Sequence, residues 1–177
     1  MLLAAQTRPP TSSATALTLK GFQVEDVNAL RRSGYRAIVA NAPGTGKTIV
    51  TLACVKRDWA RLTPTLIVAP ASVVTNWCRE ARKWLGRGVK IHAVTDTMSP
   101  LPRKGVAHVV VISWGLLSAR ADEIITMAPQ FLVADEAHYA KSEEAQRTIA
   151  LGRVARACPH VVLLTGTPVI NKKAELE

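Results

Sequence analysis

Short, continuous apolar runs alternate along this chain with longer helical stretches, and this alternation constrains the fold more than any other feature. The runs are rich in valine, leucine, isoleucine and alanine, and they lack the apolar–polar alternation of a strand with one solvated face. Continuous apolar strands are typical of a parallel sheet that is covered on both faces. The predicted strands are residues 37–42, 65–69, 89–94, 108–113, 131–134 and 161–164.

Helical stretches between these runs complete the prediction of the fold class. Strand–helix alternation with right-handed crossovers gives an α/β domain with a mostly parallel sheet and helices on both faces. The carboxyl ends of the strands then meet at one edge, where we expect ligands to bind. The predicted helices run from Phe22 to about Ser33, from the glycine loop to about Ala60, over residues 73–85, and over residues 142–157 with Ser142 as N-cap.

A glycine-rich loop, residues 41–48 with the sequence Asn-Ala-Pro-Gly-Thr-Gly-Lys-Thr, joins the first predicted strand to a predicted helix. Two glycines let the backbone turn its N–H groups toward a phosphate, and the helix adds its positive end. Lys47 would reach the β- and γ-phosphates of a nucleotide, and the Thr48 hydroxyl would hold Mg²⁺. The predicted nucleotide-binding residues of the loop are Pro43, Gly44, Thr45, Gly46, Lys47 and Thr48.

This loop departs at one position from the usual pattern Gly-x-x-x-x-Gly-Lys-Ser/Thr, because Asn41 stands where the first glycine is expected. Asparagine adopts a positive φ more readily than most residues, so we expect the loop to tolerate it. The alternative is a Gly-Lys-Thr turn that occurs by chance. The position between a strand and a helix favours phosphate binding.

Asp135-Glu136-Ala137-His138 follows the fifth predicted strand directly. A carboxylate at Asp135 could hold Mg²⁺ opposite Thr48, and Glu136 could then orient or deprotonate an attacking water. The predicted catalytic residues are therefore Lys47, Asp135 and Glu136, with Thr48 and Asp135 as the Mg²⁺ ligands. The alternative, a solvated acidic pair at a strand end, is disfavoured by the phosphate loop earlier in the chain. His138 is not expected to bind metal.

The charge of the chain indicates its kind of partner. Lys and Arg number 23 against 13 Asp and Glu, which gives a net charge of +10 and a pI near 10.1. Such an excess favours a polyanion, most simply nucleic acid, over a merely basic protein. The densest basic group is Arg79, Arg82, Lys83, Arg87 and Lys90.

Composition and segment lengths exclude several other classes. An apolar fraction of 48% argues against disorder. No run of about 18 apolar residues and no secretion signal are present, so we expect no membrane partner and a cytoplasmic location, or the nucleoid or host cytoplasm for a phage protein. Three cysteines without metal-ligand spacing, Cys54, Cys78 and Cys158, are expected to be small buried hydrophobes.

Thr165-Gly166-Thr167 follows the last predicted strand, and we call these three residues the coupling turn. Two hydroxyls around a glycine at the carboxyl edge could hydrogen-bond both the acidic site and a bound nucleic-acid strand, and so link hydrolysis to movement. Taken alone, the segment is more often a simple turn.

In this order, the motifs resemble those of the first RecA-like lobe of superfamily 2 helicases and translocases, most closely the Swi/Snf-type group with its annealing-helicase, phage and bacterial relatives. The resemblance covers about residues 19–177, and residues 1–18 are expected to form a mobile tail. The matching segments are residues 19–23 (Q motif), 41–48 (motif I), 67–77 with Glu80 and Trp84 (motif Ia and its helix), 110–114 (motif Ib), 135–142 (motif II) and 163–168 with Asn171, Glu175 and Leu176 (motif III).

This resemblance implies a P-loop NTPase that uses ATP and Mg²⁺ and moves on nucleic acid, with DNA as the expected partner by analogy with the group. Phe22 and Gln23 would bind the adenine. The implied coupling residues are His138, Thr165, Gly166 and Thr167, and the implied nucleic-acid contacts are Pro70, Ser72, Ser113 and Thr165. Such contacts would go mainly to the sugar–phosphate backbone. For Trp77 and Trp84, packing of a helix face against the core is favoured over a role in binding.

The resemblance also implies a second RecA-like lobe, in the same polypeptide or in a partner. That lobe supplies an arginine finger, which is worth about 10³–10⁵ in the rate of phosphoryl transfer. We therefore expect the 177 residues alone to bind ATP but to hydrolyse it poorly. The competing hypothesis is a non-enzymatic module that binds nucleic acid or a partner, with ATP as a conformational ligand. A kinase or small NTPase is disfavoured by Gln23, residues 70–77 and the coupling turn.

Overall fold

The computed structural model describes residues 18–142 and 145–166, and the six strands of this part lie parallel in one sheet. Their order across the sheet is β1-β6-β5-β2-β4-β3. The first and third strands therefore form the two edges, and the later strands β4, β5 and β6 lie between them. Residues 1–17 of the predicted N-terminal tail lie outside the described residues, and so do Thr167, Pro168, Asn171, Glu175 and Leu176 of the predicted motif III. The strands are β1 (Arg36–Val39), β2 (Thr65–Ala69), β3 (Ile91–Val94), β4 (Val109–Ser113), β5 (Phe131–Ala134) and β6 (His160–Leu164).

Helices cover both faces of the sheet. The first four in chain order share one hydrophobic core, and α5 and α7 share the core on the opposite face. The predicted α/β fold class is therefore confirmed. The helices are α1 (Gly21–Arg32), α2 (Lys47–Arg57), α3 (Trp59–Leu62), α4 (Val74–Leu85), α5 (Trp114–Met127), α6 (Tyr139–Ser142) and α7 (Ala145–Ala157), with a 3-10 turn at Ala71–Val73.

The central strand β2 shows why the strands are continuous apolar runs. All five of its residues are buried, and its side chains alternate between the two cores. Leu66 and Val68 belong to the core under α5 and α7, whereas Ile67 and Ala69 belong to the other core. Since both faces of the strand are dry, residues 66–69 are all apolar. The one polar residue of β2, Thr65, is buried with its hydroxyl donating to Leu62 O at 2.7 Å.

The prediction of a buried strand at residues 37–42 is wrong in length and in burial. β1 ends at Val39, and the Ile38 side chain is 67% exposed. β1 lies at the edge of the sheet and pairs only with β6, so one side of the strand has no neighbouring strand among the described residues. The opposite edge strand, β3, also begins later than predicted, at Ile91.

Three helices differ from the prediction. The predicted elements do not include α5, because this helix begins immediately after β4 and no turn residue separates the two. The helix expected to reach Ala60 ends at Arg57, and a separate short helix follows it. Ser142 is the last residue of α6, so it is not the N-cap of the following helix.

Two expectations from composition can be compared with the structure. The three cysteines are free and buried, as predicted. Burial raises the pKa of Cys54 and Cys158 to about 12, which keeps both as thiols at neutral pH. Within the described ranges, no helix has the length and apolar character needed to cross a membrane.

Candidate nucleotide and magnesium site

The predicted motifs meet at the carboxyl edge of the sheet, and the strand order determines which of them are neighbours. β1, β6 and β5 are adjacent. The glycine loop after β1, Gly166 after β6 and Asp135 after β5 therefore lie side by side. Pro70 follows β2 and Ser113 ends β4, and these two strands come next along the same edge. The topology thus places the nucleotide-binding candidates beside the nucleic-acid candidates.

The glycine loop has the backbone that phosphate binding needs. Gly44 and Gly46 adopt φ values of +80° and +86°, which residues other than glycine rarely adopt. Gly46 is also the N-cap of α2. The Lys47 ammonium donates to the loop's own carbonyl oxygens, at 2.7 Å from Asn41 O and 3.2 Å from Ala42 O. The oxygens of a bound phosphate could replace these carbonyl oxygens, because either kind of oxygen can accept a hydrogen bond from the ammonium.

Asn41 is accommodated in a different way from the one expected. Its φ is not positive, so the left-handed conformation is not what permits asparagine at this position. Instead, the Asn41 side-chain amide donates to Asp26 Oδ2 at 3.1 Å. This bond ties the start of the loop to α1.

Gln23 links the same helix to the loop. Its side chain is only 5% exposed, its Oε1 accepts from Lys20 N at 3.0 Å, and its Nε2 donates to Thr45 O at 3.2 Å. A Cβ at Gly46 would lie 2.5 Å from Gln23 Nε2, so the side chain packs directly on the loop. Phe22, by contrast, is exposed. The role of both residues in adenine binding stays a prediction.

Asp135 is held at several atoms immediately after β5. Its Oδ2 accepts from the Trp77 indole Nε1 at 2.8 Å, and its Oδ1 accepts from Glu136 N at 3.0 Å. Its backbone carbonyl accepts from Trp114 Nε1, also at 2.8 Å. Burial raises the pKa of Asp135 above the ordinary value of a carboxyl, and the hydrogen bond from Trp77 opposes that shift.

Glu136 adopts a strained backbone with a φ of +51°. Its Oε2 accepts from Gly166 N at 3.3 Å and lies 3.2 Å from His138 Nδ1. The segment after β6 is further joined to the acidic motif because Ala137 N donates to Leu164 O at 2.8 Å. The acidic motif and the start of the coupling turn are therefore in direct contact, as a coupling role would require.

A cavity of about 420 Å³ opens between these elements. It brings together residues from four predicted sets: the glycine loop, the acidic motif, the coupling turn and the Pro70 loop. Among the described residues that line it, none is an arginine or a lysine. The lining residues are Pro43, Pro70, Ser72, Val73, Asp135, Glu136, His138, Tyr139 and Gly166.

The donor set fits Mg²⁺ only together with a nucleotide. Each carboxylate oxygen of Asp135 accepts one N–H and keeps a further lone pair for an ion. Thr48 is the second residue of α2, directly after the glycine loop, and its role as an Mg²⁺ ligand stays a prediction. In the part of the chain that the structure describes, no cluster of three or more acidic, histidine or cysteine residues could hold an ion alone. Mg²⁺ typically binds through one or two side chains plus substrate phosphates, and the Asp135 carboxylate could supply one of these side chains.

Two predicted residues have surroundings that the sequence did not indicate. Thr165 is only 3% exposed, and its N donates to Val39 O at 3.0 Å, so its backbone is tied to β1. Ser113 ends β4 and is half-buried, outside the cavity lining. The roles of both in binding nucleic acid stay predictions.

The structure also adds residues that sequence reasoning missed. Tyr139 and Val73 line the cavity, and Trp77 and Trp114 hydrogen-bond Asp135. Trp77 is buried, as expected of a core residue, but packing is not its whole role. Most buried indole N–H groups find an acceptor, and this tendency is a signal that could have suggested a second role.

The fold is RecA-like, with the glycine loop, the acidic motif and the start of the coupling turn after three adjacent strands. A family model described as "SNF2-related domain" matches residues 22–177. This chain belongs to that family, and the predicted resemblance to the Swi/Snf-type group is confirmed. Membership implies nucleotide binding.

Individual relatives agree with this assignment. The human "DNA annealing helicase and endonuclease ZRANB3" is 33% identical over 156 residues, covering 84% of this chain and 14% of the relative. The mouse "DNA repair and recombination protein RAD54B" is 34% identical over 169 residues, covering 87% of this chain and 18% of the relative. The chain thus spans less than a fifth of the length of these two relatives.

A solved structure shows the same fold. The "Sulfolobus solfataricus SWI2/SNF2 ATPase core in complex with dsDNA" superimposes with a TM-score of 0.75 at 22% identity. The match covers 97% of this chain and 35% of that chain.

Proposed function

We propose that this chain is the ATP-binding lobe of an ATP-dependent DNA translocase or helicase. The observation that carries the proposal is the shared cavity, in which Asp135 and Glu136 lie together with the Pro70–Ser72 loop. A site that hydrolyses ATP and a loop that could contact nucleic acid therefore border the same space. The curated relatives named above include a DNA annealing helicase and a DNA repair and recombination protein, which supports DNA as the partner.

In the proposed reaction, the residues of this chain position ATP and stabilise charge. Lys47 exchanges its carbonyl partners for the β- and γ-phosphates, and the loop N–H groups surround them. Thr48 and Asp135 would hold Mg²⁺, which would supply positive charge to neutralise the phosphates. Glu136 accepts a proton from the attacking water while the water oxygen forms a bond to the γ-phosphorus. The bond between that phosphorus and the bridging oxygen breaks, and ADP leaves.

Gly166 and His138 are the proposed link from chemistry to movement. Both contact the Glu136 carboxylate, and Gly166 belongs to the segment that follows β6. When the proton or charge on Glu136 changes, the hydrogen bond from Gly166 N changes with it. This contact would transmit the state of the site to the coupling turn.

A second RecA-like lobe, in cis or in trans, is part of the proposal. The described lining of the cavity contains no arginine or lysine, so it offers no cation to face the γ-phosphate from the open side. An arginine from a second lobe would supply that charge in the transition state. The isolated chain would therefore bind ATP and turn it over slowly.

The proposal is tested by titrating the chain with a fluorescent ATP analogue and with duplex DNA, and by measuring turnover with and without that DNA. We expect Mg²⁺-dependent nucleotide binding, DNA binding that weakens as salt increases, and slow turnover. Failure to bind the analogue at millimolar concentration would overturn the ATPase assignment. Rapid turnover by the chain alone would overturn the need for a second lobe.

The exposed face of α4 is the proposed electrostatic contact for DNA. This helix begins directly after the 3-10 turn Ala71–Val73, which follows Pro70 and contains Ser72. Arg79 and Arg82 lie exposed, three residues apart on one face. Phosphate contacts by such side chains release counterions, so affinity depends on salt. Lys83, Arg87 and Lys90 are exposed as well and extend the basic surface.

Replacing Arg79 and Arg82 by glutamine is expected to weaken duplex binding for all sequences alike. The slope of log affinity against log salt should become shallower by about 0.9 for each phosphate that the protein no longer neutralises. A matched control is Arg153→Gln with Arg156→Gln, which removes the same charge from the exposed side of α7 on the other face of the sheet. Equal weakening by both pairs would show that only net charge matters and that α4 is not the contact.

A further inference from the structure

Two tryptophans from different elements hold Asp135, and neither was needed for the proposed chemistry. The Trp77 side chain is 1% exposed and donates its indole N–H to Oδ2 at 2.8 Å. The indole can only donate, and a carboxylate is its strongest common acceptor. This bond restricts rotation of the Asp135 carboxylate.

Trp114 restrains the backbone of the same residue. Its indole N–H donates to the Asp135 carbonyl oxygen at 2.8 Å, while Asp135 N donates to Val68 O, also at 2.8 Å. The carboxylate and the peptide groups on both sides of the Asp135 Cα are therefore all hydrogen-bonded. Since neighbouring groups that orient a ligand tune metal binding, such restraint matters for an ion site.

Two other buried tryptophans show that burial alone does not produce this contact. Trp59 Nε1 and Trp84 Nε1 are buried without a hydrogen-bond partner among the described residues. Trp84 lies on the same helix as Trp77, seven residues later and on the same buried face. Packing accounts for Trp84, whereas Trp77 combines packing with a charge-assisted bond to the proposed Mg²⁺ ligand.

Both indoles belong to segments that carry candidate nucleic-acid contacts. Trp77 is in the first turns of α4, directly after the loop with Pro70 and Ser72. Trp114 is the first residue of α5 and follows Ser113. A displacement of either segment would therefore move an indole that is bonded to Asp135.

We propose that Trp77 and Trp114 are positioning residues that set the orientation of Asp135 for Mg²⁺, and that they connect this ligand to the two segments expected to face DNA. This inference rests on the proposed function. It predicts that removal of an indole N–H weakens the Mg²⁺ site without changing how the loop binds the nucleotide itself.

The test uses Trp77→Phe, which keeps an aromatic ring and removes the donor, in the full 177-residue chain. A fluorescent ATP analogue is titrated at increasing Mg²⁺ and again in EDTA. We expect the Mg²⁺ concentration for half-maximal enhancement of binding to rise about tenfold or more, because removing an outer-shell partner typically costs 10–100-fold in metal affinity. Affinity in EDTA should stay within about twofold of wild type, because the proposed role concerns the ion alone.

Trp84→Phe is the matched control, because it removes an unpartnered indole N–H from the same helix face. Its Mg²⁺ dependence should equal that of wild type. Trp114→Phe provides a second route to the same result if Trp77→Phe fails to fold, which thermal unfolding will show. In Trp114→Phe as well, the Mg²⁺ concentration for half-maximal enhancement of binding is expected to rise.

The outcomes separate this inference from the proposed function. If wild type shows no Mg²⁺-dependent nucleotide binding, the proposed function fails. If wild type does, but Trp77→Phe and Trp114→Phe match Trp84→Phe in their Mg²⁺ dependence, the positioning role is overturned. If the nucleotide affinity of these variants falls equally with and without Mg²⁺, the tryptophans have a packing role, and the positioning role is likewise overturned.

Discussion

Replacing Lys47 by alanine is expected to lower ATP affinity by about 100-fold or more and, once a second lobe is present, to abolish DNA-stimulated turnover. The Lys47 ammonium reaches Asn41 O and Ala42 O inside the loop, so it lies where the β- and γ-phosphates would bind. Each charge-assisted hydrogen bond is worth about 1.5–3 kcal/mol, and the substitution would remove at least two. Equilibrium titration with Mg²⁺-ATP measures the effect.

The matched control for this variant is Lys56→Ala. Lys56 lies exposed in the last turn of the same helix, so the substitution removes one charge and the same number of side-chain atoms. It should leave ATP affinity unchanged. If both variants bind ATP equally well, or if stimulated turnover survives in Lys47→Ala, the glycine loop is not the nucleotide site.

Glu136→Gln is expected to separate binding from hydrolysis. Glutamine keeps the size of the side chain and an oxygen acceptor for the N–H of Gly166, which lies 3.3 Å from Glu136 Oε2. It cannot accept a proton from water. ATP affinity should therefore change by about twofold or less, while the rate of hydrolysis falls by about 10²–10⁴.

Single-turnover hydrolysis, with the protein in excess over labelled ATP, can register this decrease even when basal turnover is slow. Glu25→Gln is a suitable control, because Glu25 is exposed on α1 and the same chemical change is made there. Hydrolysis by Glu136→Gln at the rate of Glu25→Gln would exclude Glu136 as the base. Failure of Glu136→Gln to bind ATP would instead indicate a structural role at the turn.

Much of the fold followed from local pattern. The predicted ranges 65–69 and 131–134 coincide with β2 and β5, because each is an apolar run buried on both faces in the middle of the sheet. The edge strands β1 and β3 were predicted too long. An edge strand is partly exposed, so apolar residues mark its ends less reliably than those of a central strand. Here the apolar run extends beyond the residues that are hydrogen-bonded in the sheet.

The candidate site also has parts that are local in the sequence and parts that depend on tertiary contacts. The glycine loop is a contiguous segment, and its positive φ angles are a property of its own glycines. Its recognition therefore needed no tertiary information. The reason given for asparagine at position 41, a positive φ, was wrong, because the side chain instead bonds Asp26 on another element, 15 residues earlier.

The sequence by itself determined the class of fold and the places of the glycine loop and the acidic motif at strand ends, because apolar periodicity and runs of consecutive residues are local. Only the tertiary structure decided which groups meet. Trp77 and Asp135 are 58 residues apart, and Glu136 and Gly166 are 30 apart. Their contacts depend on the order of β1, β6, β5 and β2 in the sheet, and that order is set by packing on both faces of the sheet.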